Sequence, residues 1–95
     1  MSYSCRPGLV LTKICGLWLL IPTREASEHC PQIVRMALPA VFIWGLLQNH
    51  APREKMLQVL KILSHKDDED VSRMLDSMLD SFLSRNMIIP VEDET

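Results

Sequence analysis

Glycine is scarce in this chain: Gly8, Gly16 and Gly45 are the only ones in 95 residues. That scarcity excludes glycine-rich phosphate loops and the G-x-S-x-G nucleophile elbow, whose backbone turns need clustered glycines. The Asn-Gly and Asp-Gly pairs that mark tight hairpins are absent as well, and no strand-period alternation persists for more than a few residues. Long apolar runs are also missing. A membrane-spanning helix needs about 20 consecutive apolar residues, and neither ICGLWLLI nor MALPAVFIWGLL reaches that length. Lys13 splits the apolar stretch near the N-terminus and no small-residue cleavage pattern comes after it, which argues against a secretory signal.

Cysteine and histidine are few and badly spaced for chemistry. Cys5, Cys15 and Cys30 are odd in number and share no repeated spacing, so they do not form a disulfide framework. Reduced, partly buried thiols in a cytoplasmic protein are the expectation. No C-x-x-C or H-x-x-x-H pattern aims two ligands at one ion, so no metal site and no cofactor are expected. His29 and Cys30 are adjacent, and neighbours on a helix do not face each other, so they do not make a base and nucleophile. Asp76 and Asp80 share one helical face opposite an apolar stripe, which makes them an acidic, solvated surface rather than a catalytic pair. The chain is read as a non-enzyme with no small-molecule substrate in view.

Apolar residues are what the chain has in plenty, at 47%. Most are Leu, Ile, Val, Met and Ala; the aromatics are Tyr3, Trp18, Phe42, Trp44 and Phe82. Prolines at 7, 22, 31, 39, 52 and 90 punctuate the sequence. Pro7 suits the first turn of a helix over about 7–21, ended by Pro22. Thr23 is a plausible N-cap for a second helix over about 24–38, which Pro31 delays or divides. Pro39 breaks or kinks the chain again, giving a third helical piece over about 39–49. A fourth, 52–65, puts Met56, Val59, Leu60 and Leu63 on one face. The fifth, 65–86, spaces Val71, Met74, Leu75, Met78, Leu79, Phe82 and Leu83 as an amphipathic stripe, with Asp67 or Asp68 at its start.

The resulting prediction is an all-α fold: one domain, residues 1–95, forming a compact bundle or short stack of about five helices joined by short connections. Residues 87–95 would be a short extended or loose tail, because Pro90 excludes a central strand position.

Charge is divided along the chain. Residues 1–35 carry four Lys/Arg against two Asp/Glu, and residues 36–95 carry six against ten. An acidic C-terminal half is a poor match for phosphate backbones. The stretch VSRMLDSMLDSFLSRNMIIPVED nevertheless resembles the end of a winged helix, where a recognition helix leads into a wing. That resemblance implies a nucleic-acid-binding regulator. Against it, Arg73 and Arg85 stand among six acids, whereas a recognition helix needs cations and amides aimed at base edges.

Protein binding is the preferred function. Two or three helices apolar nearly all round exceed what one small core can enclose, and a leftover apolar patch marks an interaction surface. Trp18, Phe42, Trp44, Leu46 and Leu47 are the candidate anchors, with Asp76 and Asp80 as an acidic surface. The partner would be another protein or a second copy in a homodimer, and the chain an adaptor, small chaperone or complex subunit. The alternative outside nucleic acid is a membrane-surface protein anchored through residues 8–21, with Arg6 and Lys13 at the interface.

Overall fold

A computed structural model describes residues 2–29 and 31–91, Ser2 by its backbone alone. The elements run β1 (Ser2–Cys5), β2 (Leu9–Ile14), β3 (Leu17–Pro22), β4 (Val34–Met36), α1 (Leu38–Gln48), α2 (Arg53–Ser64), α3 (Asp68–Ser84) and β5 (Ile88–Val91). The chain is therefore not an all-α bundle of about five helices. Among the described residues it mixes three helices with five strands in two antiparallel sheets, one of order β2-β3-β4 and one pairing β1 with β5.

The correction begins at residues 7–21. Cys15 and Gly16 both take positive φ, 52° and 78°. Positive φ at both central residues is the type I′ turn, whose twist matches that of two paired strands. The chain reverses there, and β2 pairs with β3 from Leu9↔Pro22 to Ile14↔Leu17. Val10, Thr12, Ile14 and Ile21 are β-branched and fit a pleated sheet better than a helix. The segment read as a helix because it is apolar on both faces. Leu9 and Leu20 are buried on the inner face, while Val10, Ile14 and Leu17 lie on the outer face, 40–49% exposed. With both faces apolar no alternation survives, and periodicity cannot separate strand from helix.

The expected helix over 24–38 is also replaced. The Thr23 N–H donates to the Gly8 carbonyl at 2.8 Å, tying this segment to the start of β2. The Thr23 carbonyl then accepts from the N–H groups of Ala26 and Ser27, a single turn that stops before Pro31. Beyond it Val34, Arg35 and Met36 pair with Leu20, Leu19 and Trp18. Cys30 lies outside the described residues.

The other three helices form where the spacing places them. Pro39 sits in the first turn of α1, and Asp67 caps α3 by accepting from the Asp70 N–H at 2.9 Å. The helices end without glycine. At the end of α1, His50 (φ 55°) donates to the Leu47 carbonyl and Ala51 to the Leu46 carbonyl. At the end of α3, Asn86 (φ 60°) donates to Leu83 and Met87 to Phe82. Both are Schellman closures, which satisfy the last carbonyls through one left-handed residue. The second turns the chain straight into β5, which pairs with β1 from Cys5↔Ile88 to Ser2↔Val91. Pro90 is tolerated because a two-stranded ribbon has only edge strands. Part of the expected loose tail is thus a strand, and residues 92–95 lie outside the described residues.

The core is closed by side chains from every layer. Leu9, Leu20 and Met36 come from the larger sheet, Ile43, Trp44 and Leu47 from α1, and Met56 and Leu60 from α2. Val71, Leu75, Leu79 and Phe82 come from α3, and Ile88 from β5, with Met87 just before it and Ala26 from the turn after β3. Trp44 meets Phe82 edge to face, ring centroids 5.8 Å apart. Among the described residues, no helix is long and apolar enough to cross a membrane.

Candidate functional site

β4 is only three residues long and has a partner on one side. Its register with β3 leaves its second edge unpaired among the described residues. An unpaired edge presents backbone N–H and C=O groups ready to bond another extended chain. Side chains around this edge are unusually apolar for a surface. Ile33 immediately precedes β4 and is 60% exposed. Leu38 opens α1 at 58% exposed, and Phe42 comes one turn later at 47%. Leu38 and Phe42 are four apart and so share a helix face. Within β4 the sides alternate: Met36 is buried, Val34 half-buried, and Arg35 points to the exposed outer face beside Leu19.

A groove of about 460 Å³ lies at this place, lined by the hairpin turn (Gly16 and Leu17), Trp18, Arg35 and Met36, and the start of α1 at Ala37 and Leu38. Its walls are apolar apart from one cation, Arg35. Lys13 sits over the Trp18 ring, 5.6 Å from its centroid, adding a second positive charge on the hairpin. The groove therefore suits an apolar group accompanied by a carboxylate.

The chain's fold is similar to that of TbiB1. The solved structure of TbiB1 in complex with the TbiA(beta) leader peptide superposes with a TM-score of 0.73, at 16% sequence identity, over 95% of this chain and 99% of that one. At that identity the likeness is one of fold. No family model matches the chain, and no curated protein matches it.

The candidate anchors fall in different places. Trp18 is half-buried and lines the groove beside β4; Phe42 is exposed on α1, one turn beyond Leu38. Trp44 and Leu47 are enclosed in the chain's own core, and Leu46 is half-buried at its margin. Asp76 and Asp80 are exposed on α3, far along the chain from β4, and Asp76 is paired with Arg53 at 2.8 Å. On the same helix Arg73 is committed to Asp70 at 3.0 Å and Glu69 at 3.7 Å, and the segment that resembled a wing is β5, paired with β1. Among the described residues no group of three or more His, Cys, Asp or Glu is placed to hold a metal ion.

Sequence reasoning missed Ile33, Val34, Arg35, Met36 and Leu38. The available signal was the β-branched pair Ile33-Val34 shortly after Pro31, a strand start that the helical spacing of Ile33, Val34 and Ala37 concealed.

Proposed function

We propose that this protein is a peptide-binding module, not an enzyme, and that it takes an extended segment of a partner polypeptide as an added strand along β4. The observation that carries this reading is the unpaired β4 edge bracketed by exposed Ile33, Leu38 and Phe42. In strand addition, main-chain hydrogen bonds supply affinity and alternate side chains supply specificity. A three-residue edge gives few such bonds, each worth about 0.5–1.5 kcal/mol net. Burial of the flanking apolar side chains, at roughly 25 cal/mol per Å², must contribute a comparable share. The register also defines the guest. Alternate side chains on the inner side meet Val34 and Met36 and should be apolar. Those on the outer side meet Arg35 and should be acidic. The complex of TbiB1 with a leader peptide supports a peptide as the kind of partner for this fold.

Calorimetric titration with a capped octapeptide of alternating valine and glutamate tests the reading. The expected result is saturable binding that weakens at least tenfold when lysine replaces glutamate, and likewise in Leu38→Asp. Equal affinity for both peptides, or an unaffected Leu38→Asp protein, would remove the β4 site.

A further inference from the structure

A larger concavity than the groove at β4 lies at the opposite end of α1. It is a cleft of about 820 Å³ between the α1–α2 connection, α3 and β1. α1 has 11 residues and so rises about 16 Å, which separates the two places. The floor of the cleft is apolar: Leu47, Met56 and Leu79, each no more than 6% exposed. The rim is polar: Tyr3, His50, Arg53, Asp76 and Asp80.

Partners at this rim are unevenly satisfied. Arg53 donates to Ser72 Oγ at 3.2 Å and pairs with Asp76 at 2.8 Å, so these two charges cancel. Asp80 lies one turn further along α3 and has neither a hydrogen bond nor an ion pair among the described residues. The Tyr3 hydroxyl and the His50 imidazole are likewise unbonded there. One uncompensated carboxylate, two free hydrogen-bonding groups and an aromatic ring thus surround an apolar floor. An alkyl stem ending in a cation answers all of these features. The stem covers Leu47, Met56 and Leu79, and the head meets the Asp80 carboxylate and the Tyr3 ring. A volume of 820 Å³ is in the range of pockets that enclose whole ligands of drug size, well above one side chain. Residues flanking the cation must enter too, which favours a polypeptide over a free amine.

We propose that this cleft binds an arginine or lysine side chain of a partner polypeptide, flanked by apolar residues. It is a second site, independent of strand addition at β4.

Amide-shift titration of the isotope-labelled full chain tests the assignment, with a capped Leu-Arg-Leu tripeptide as probe. The expected result is saturable movement of the amides of Ala51, Arg53, Leu79 and Asp80, at least fivefold weaker in Asp80→Asn and unchanged in Asp68→Asn, which lies outside the cleft. Asp80 is exposed, so Asp80→Asn keeps the fold, and its helical circular dichroism checks this. The proposal is overturned if capped Leu-Glu-Leu moves the same amides equally, if Asp80→Asn binds as the parent does, or if no amide of the cleft moves. Agmatine binding as tightly as the tripeptide would make the cleft an amine site and overturn the polypeptide assignment.

Discussion

Trp44 shows most directly how single residues are used in this chain. Its ring is fully enclosed, yet its indole N–H finds no hydrogen-bond partner among the described residues. Burying such a donor unpaired costs about 1–3 kcal/mol, which the large apolar area of the ring and its contact with Phe82 outweigh. Trp44→Ala is expected to destabilise the fold by about 3–5 kcal/mol. Trp44→Phe should be much milder, because it removes the orphan donor along with part of the ring. Urea unfolding measures both. The cysteines contrast just as sharply. Cys5 packs against the core near the Trp44 carbonyl, and burial pushes its thiol up to about 12. Cys15 stands exposed at the hairpin turn. Iodoacetamide at pH 8 followed by peptide mapping should label Cys15 at least tenfold faster than Cys5. The raised Cys5 value also sets a pH dependence. The unfolded thiol ionises near its ordinary 9.0 while the folded one stays protonated until about 12. Stability from this group is therefore complete below 9.0 and is lost as pH rises from there towards 12. Cys5→Ala should flatten that decline.

At the scale of elements, the sequence was legible where one face is apolar and the other charged. α3 is the best case, since its stripe from Val71 to Phe82 is buried and Asp67 caps it. The hairpin was illegible because its signals are substituted. Cys15 occupies the first position of the type I′ turn, where asparagine or aspartate usually announces it, and both faces of β2 and β3 are apolar. The candidate site inherited that difficulty, since β4 is recognisable only once β3 is known to lie beside it. Two substitutions check the local account. Cys15→Asn should raise stability by roughly 0.5 kcal/mol, because asparagine tolerates positive φ better. Gly8→Ala should lower it by more than about 1 kcal/mol, the scale of strained backbone. Gly8 has φ 88°, and an added Cβ would lie 2.8 Å from Thr23 Oγ1 and 3.0 Å from the Ala26 nitrogen. Thermal unfolding of both variants reads these effects.

For the molecule as a whole, charge and surface divide the work. The larger sheet carries Lys13 on β2 and Arg35 on β4, on opposite faces by register, whereas α3 carries Asp68, Glu69, Asp70, Asp76 and Asp80. The expectation of an apolar interaction surface placed its anchors at Trp18 and in the run from Phe42 to Leu47. Folding sends Trp44 and Leu47 inward and leaves Phe42 outside with Leu38 and Ile33, next to a sheet edge that the all-helical reading did not contain. A cationic strand edge and an anionic helix face can engage one extended partner at two places without attracting each other's ligands.

Hydrogen–deuterium exchange across residues 33–38, at saturating concentrations of the alternating valine–glutamate octapeptide, tests the central claim of strand addition most directly. New main-chain bonds to β4 should slow exchange there at least tenfold while the free outer edge of β2 is unchanged. Exchange at 33–38 that stays the same with the peptide bound would contradict the account.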